Sequence, residues 1–190
     1  IVAIAWFRSW RILNLLGFLF TFGIGSLWGA SAYTPEKFAS TQPFLLLFFA
    51  FYLVVPILFA RRQPAGRRDL VDGCLVFGTP LVAFTLQAGL MDGLFADGSR
   101  MPLALCALGL ALLYAALAWV LLRRAGYRVL GQSHAILAVG FATLAVPLAL
   151  SARATASVFA LEGAGLVWLG LRQGRGLPVF TGSALQLVAA

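Results

Sequence analysis

Six apolar runs, each about as long as a bilayer is thick, follow one another along the chain, and a seventh begins before its last residue. A hydrocarbon core of about 30 Å takes roughly 20 residues of helix at 1.5 Å per residue. Water is absent there, so every backbone N–H and C=O must be satisfied within the segment, and only helices or a closed barrel can do this. Unbroken apolar runs do not alternate with period two, which removes the barrel. The expected fold is all-α, a polytopic transmembrane helical bundle. Its helices fall at about 12–32, 43–60, 70–91, 102–122, 130–151 and 154–172, with a partial seventh at 177–190, and residues 1–190 form a single transmembrane domain. With 62% hydrophobic and 11% charged residues, too little polar surface remains for a water-soluble domain.

The net charge of +8 would suit a nucleic-acid groove if it were concentrated on one surface. It is distributed between the apolar runs instead, so no nucleic-acid partner is expected. Arg8, Arg11, Arg61, Arg62, Arg67, Arg68, Arg123, Arg124, Arg128, Arg172 and Arg175 fall on one side of an alternating bundle, against Lys37, Arg100 and Arg153 on the other. Basic residues flank membrane helices on the cytoplasmic side, which places the N-terminus in the cytoplasm. The segment RRQPAGRR at 61–68 is the clearest turn. Cys74 and Cys106 lie in apolar runs without CxxC spacing or a histidine companion, so neither a disulfide nor a metal is expected, and no cofactor.

The informative residues are the few polar ones inside the runs. Glu162 lies mid-way along ATASVFALEGAGLVWLGLR, and a charge at that depth costs several kcal/mol unless a protein partner covers it. Gly163, with Ala160, Ala164 and Gly170, lets a neighbouring backbone approach it. Thr21, Thr79 and Thr143 fall near mid-membrane in the odd helices, in the settings FTFG, FGTP and FAT, spaced as in a degenerate hairpin repeat or as chance allows. On the third helix Asp72, Thr79, Ala83 and Gln87 lie within about 80° of one another at 100° per residue. Two polar layers are possible. Glu162 with the three threonines would make a midplane site, and Asp72 with His134 a charge pair at the cytoplasmic mouth. Alternatively Asp72 is a helix-start residue favoured by the dipole, and His134 bonds a backbone carbonyl. Gly17, Thr21, Gly25 and Gly29 step down one face of the first helix, the pattern of a close helix-packing seam.

The segments RSWRILNLLGFLFTFGIGSLWG, LVDGCLVFGTPLVAFTLQAGL and ALEGAGLVWLGLRQGR resemble the bacterial membrane-protein family catalogued as domain of unknown function 2339. The similarity runs along essentially the whole chain, in order. Members are very long inner-membrane proteins, so the resemblance implies an internal fragment of such a protein, located in the bacterial inner membrane. It transfers no catalytic residue.

Signatures of soluble enzyme chemistry (HExxH, GxSxG, a P-loop, paired carboxylates) are missing from the sequence, and no catalytic residue is expected. Two functions remain from different classes. One is a structural or scaffold module, with the bilayer, other membrane proteins or the rest of a longer chain as partners. The other is a transporter or small-molecule or lipid conduit in which Pro80 and Pro147 allow helices to break and Glu162 is the binding group. An envelope-directed enzyme is the least supported.

Overall fold

A computed structural model of the chain describes residues 11–60, 70–94, 99–124, 126–150, 152–174 and 176–189. Among them are seven α-helices and no strand: α1 Arg11–Ala32, α2 Phe38–Ala60, α3 Leu70–Met91, α4 Met101–Leu122, α5 Arg128–Ala149, α6 Ala152–Gln173 and α7 Gly176–Ala189. Five helical stretches are long and apolar enough to cross a membrane, from Ile12–Ala32 through Arg128–Ala149. Within α6, 22 residues long, and α7 the described apolar stretches are Thr155–Leu169 and Val179–Val188. The described part of α7 is 14 residues long.

The region read from sequence as a linker over 33–42 is largely helical. Pro35 opens a 3-10 turn, Pro35–Lys37, that runs straight into α2. Proline fits there because its fixed φ is already helical and a first-turn N–H has no intrahelical partner to lose. The Lys37 N–H donates to the Thr34 carbonyl at 2.9 Å. Pro43 therefore lies inside α2 instead of starting it.

The chain divides within α5 into two compact units, 1–142 and 143–190. In the first, α3 packs against α1, α2 and α4. Its core gathers Phe18 and Phe22 of α1, Tyr52, Val55 and Phe59 of α2, and Leu75 and Ala83 of α3. Three rings interlock there: Phe18 meets Tyr52 edge-on at 5.4 Å, Phe22 lies 4.9 Å from Phe18, and Tyr52 is 5.7 Å from Phe22. Such pairs add about 0.5–1.5 kcal/mol each beyond the area they bury. On α4 the buried positions are Ala104, Ala107, Ala111, Tyr114, Ala118 and Leu121, at alternating steps of three and four, while Leu105, Leu108, Leu112 and Trp119 are exposed. Small residues inside and large apolar ones outside is the ordering expected where lipid is the solvent, since leucine gains nothing by leaving lipid.

The second unit is built on the α6–α7 hairpin. Gly174, at φ 62°, ends α6 in the left-handed region that favours glycine. The helices then meet so closely that a Cβ on Gly163 would lie 2.6 Å from the Gly182 carbonyl oxygen, and one on Gly182 2.6 Å from the Gly163 carbonyl oxygen. Thr155 and Phe159 are buried on the same stripe of α6. Gly165, two residues on, has open space where a Cβ would go.

Gly163→Ala is expected to force the hairpin apart at a cost of about 1–3 kcal/mol, while Gly165→Ala gains up to about 1 kcal/mol of helix propensity. Thermal unfolding in detergent separates the two, and equal melting temperatures would count against the close glycine contact.

Candidate intramembrane polar site

Buried polar side chains in the first unit are Asn14, Thr79, Gln87 and His134, joined by the hydroxyls of Tyr52 and Tyr114. They mostly brace helices. Thr21 Oγ1 and Tyr52 Oη share a hydrogen bond at 3.3 Å, which ties α1 to α2 at mid-helix. Towards the α1–α2 turn, Gln42 Nε2 donates to Gln87 Oε1 at 2.8 Å, tying α2 to α3. Tyr33 Oη donates to the Leu90 carbonyl at 2.6 Å. Burial pushes the Tyr33 phenol above its ordinary pKa, which keeps that donor protonated.

His134 bonds a backbone carbonyl. Its Nδ1 lies 2.8 Å from the Leu130 oxygen, and because a carbonyl only accepts, Nδ1 carries the proton. The ring packs 5.4 Å from Tyr114, which stacks on Phe141 at 6.1 Å and 12°, and Phe141 meets Phe84 at 5.5 Å. This aromatic column joins α3, α4 and α5. The Asp72 side chain, its possible partner from sequence, lies outside the described residues.

The four midplane candidates are divided between the units: Thr21 and Thr79 belong to the first, Thr143 and Glu162 to the second. Thr79 is fully buried on α3, and its hydroxyl has no hydrogen-bond partner among the described residues. Thr143 is half-buried. Glu162 is exposed, as are Ala160, Leu161, Ala164 and Gly165, so the carboxylate lies off the Thr155–Phe159–Gly163 seam. Of the small residues around it, Gly163 makes the close helix contact.

Gly25 and Gly29 do not form a seam with another helix of this unit, because a Cβ on either meets nothing within 4 Å. They line an open groove of about 790 Å³, bounded by the second half of α1, the start of α2 and the end of α3, with Thr21 at its inner end. The small-residue step makes space here in place of contact. Sequence reasoning also passed over Tyr52, Tyr114 and Gln42. Tyrosine at mid-span was the available signal for the first two, since membrane tyrosines otherwise gather at the interfaces.

Among the described residues no three His, Cys, Asp or Glu side chains come together as a metal site would need. Several long apolar helices and an exterior rich in large apolar side chains define a multi-pass α-helical membrane protein. More particularly, the chain belongs to the DUF2339 family of predicted membrane proteins, whose model matches residues 1–190. Neither a curated protein nor a solved structure matches it.

Tyr52→Phe removes a paired hydroxyl and is expected to cost about 0.5–1.5 kcal/mol. Tyr114→Phe removes a buried hydroxyl that has no partner among the described residues, so it should leave stability unchanged or raise it by about 1–3 kcal/mol. Melting temperatures of the two variants in one detergent check the opposite signs.

Proposed function

We propose that this chain is a structural module of a larger membrane assembly in the bacterial inner membrane, with its arginine-rich helix ends in the cytoplasm. The observation that carries the reading is Glu162, exposed halfway along an apolar hairpin helix. A carboxylate left at that depth against lipid costs several kcal/mol, so a protein surface other than α7 has to cover it. The rest of a longer chain or another membrane protein supplies that surface, presenting a basic or hydrogen-bonding group. The buried polar groups of the first unit support a structural role, since they tie α1 to α2 and α2 to α3. The positive-inside asymmetry of the sequence supports the orientation.

The second reading makes Glu162 the binding group of a small-molecule conduit. Native mass spectrometry of the intact protein in mild detergent, beside Glu162→Gln and Glu162→Lys, separates the two. The structural reading expects a stoichiometric protein partner or an intact long-chain assembly that weakens in Glu162→Gln and dissociates in Glu162→Lys. Retention of the same assembly by all three, with a small molecule lost from the variants, overturns it in favour of the conduit.

A further inference from the structure

The groove beside α1 is built in a way that names its occupant. It begins at the middle of α1, near Phe20 and Thr21, and runs to Tyr33 at the turn into α2. From Phe20 to Gly29 the helix rises about 14 Å, close to half of a 30 Å hydrocarbon core, so the groove spans one leaflet and stops at the midplane. On the other half of α1 the side chains of Asn14 and Phe18 are buried against the bundle. A transmembrane helix from another molecule would need a seam through both leaflets. An acyl chain needs only one.

The lining chemistry agrees. Every hydroxyl on its wall is already engaged inside the protein. Thr21 bonds Tyr52, Ser26 donates to the Phe22 carbonyl at 2.6 Å, Tyr33 donates to Leu90, and Ser40 and Thr41 both donate to the Lys37 carbonyl at 2.9 Å. Phe44, Phe48 and Ile24 supply much of the remaining wall. With most of those protons engaged, a polar solute gains few donors from the wall, whereas hydrocarbon loses nothing by entering. At the mouth, exposed Lys37 bonds the Ala32 carbonyl with one ammonium proton and lies 5.8 Å over the Trp28 ring. Two N–H donors are left for a phosphate at the interface. Glu36 is exposed beside it, which offsets any gain from additional negative charge.

We propose that this groove is a site for one phospholipid, its acyl chain lying along Gly25 and Gly29 and its phosphate held by Lys37. The lipid belongs to the leaflet on the side of the α1–α2 turn. Glu36 makes the site indifferent to whether the headgroup is zwitterionic or anionic.

The intact protein, reconstituted in nanodiscs of mixed phosphatidylethanolamine and phosphatidylglycerol and released into the mass spectrometer, gives the test. Wild type should retain phospholipid of both headgroups. Gly25→Leu/Gly29→Leu fills the groove with side chains whose Cβ atoms meet nothing within 4 Å, so it should melt like wild type and lose bound lipid by about tenfold or more in affinity. Lys37→Ala should weaken retention without changing the fold. Should the leucine pair fail to fold, Gly29→Ala and Lys37→Ala decide the matter, each expected to lower retention. Unchanged lipid occupancy in the folded groove variants overturns the proposal. So does a wild-type dimer that the leucine pair dissociates with no change in lipid, which would assign the groove to a second copy of the chain.

Discussion

Absence of water from the hydrocarbon core is the constraint from which the structure follows. It forces the described backbone into helices and strips the usual reward from burying leucine. What remains to hold helices together is shape and a small number of hydrogen bonds. The two units answer that demand differently. In the first, rings fill the space between helices: Phe18, Phe22 and Tyr52 on one side, and Tyr114, Phe141 and Phe84 on the other. The alanine stripe of α4 presents a smooth wall. In the second there is no space to fill, because glycine faces glycine across the α6–α7 hairpin.

Small residues therefore do two opposite jobs in one chain. Gly163 and Gly182 remove atoms so that backbones touch. Gly25 and Gly29 remove atoms and leave the space open. Their sequence settings are alike, a glycine every few residues in an apolar helix, and the outcome depends on what faces them. Across from Gly163 comes α7, tethered by a connection too short to let it drift. Across from Gly29, the start of α2 is tied to α3 by the Gln42–Gln87 bond. The groove left between α1 and α2 runs to Tyr33 at their shared turn, where its hydroxyl bonds the Leu90 carbonyl.

Helix positions were legible in the sequence because the apolar runs are long and their breaks are charged. Most ends fall within two residues of expectation, and α2 departs because a proline at a helix start and a proline inside a helix look alike without the preceding turn. Polar pairings were less legible. Thr21, Thr79 and Thr143 share a local sequence and do not share a role: one bonds Tyr52, one is buried without a partner among the described residues, and one is half-buried in the second unit. Their partners are set by rotation about each helix axis, which a run of uniformly apolar residues does not specify. His134 was open between two readings for the same reason, and a carbonyl four residues back on its own helix engages its Nδ1.

The same uniformity explains why a charge carries so much of the functional reading. Along α6 nearly any apolar residue can face lipid, so the helix has no strong preference for which side is covered. Glu162 breaks that degeneracy: its side chain points away from the one contact that α6 makes with α7, so the hairpin retains a second face with a chemical demand of its own. Lys37 breaks it at the membrane surface in the same manner, giving polar orientation to a groove whose walls are otherwise indifferent. In a chain this apolar, packing decides where helices stand, and single charges decide which way they face.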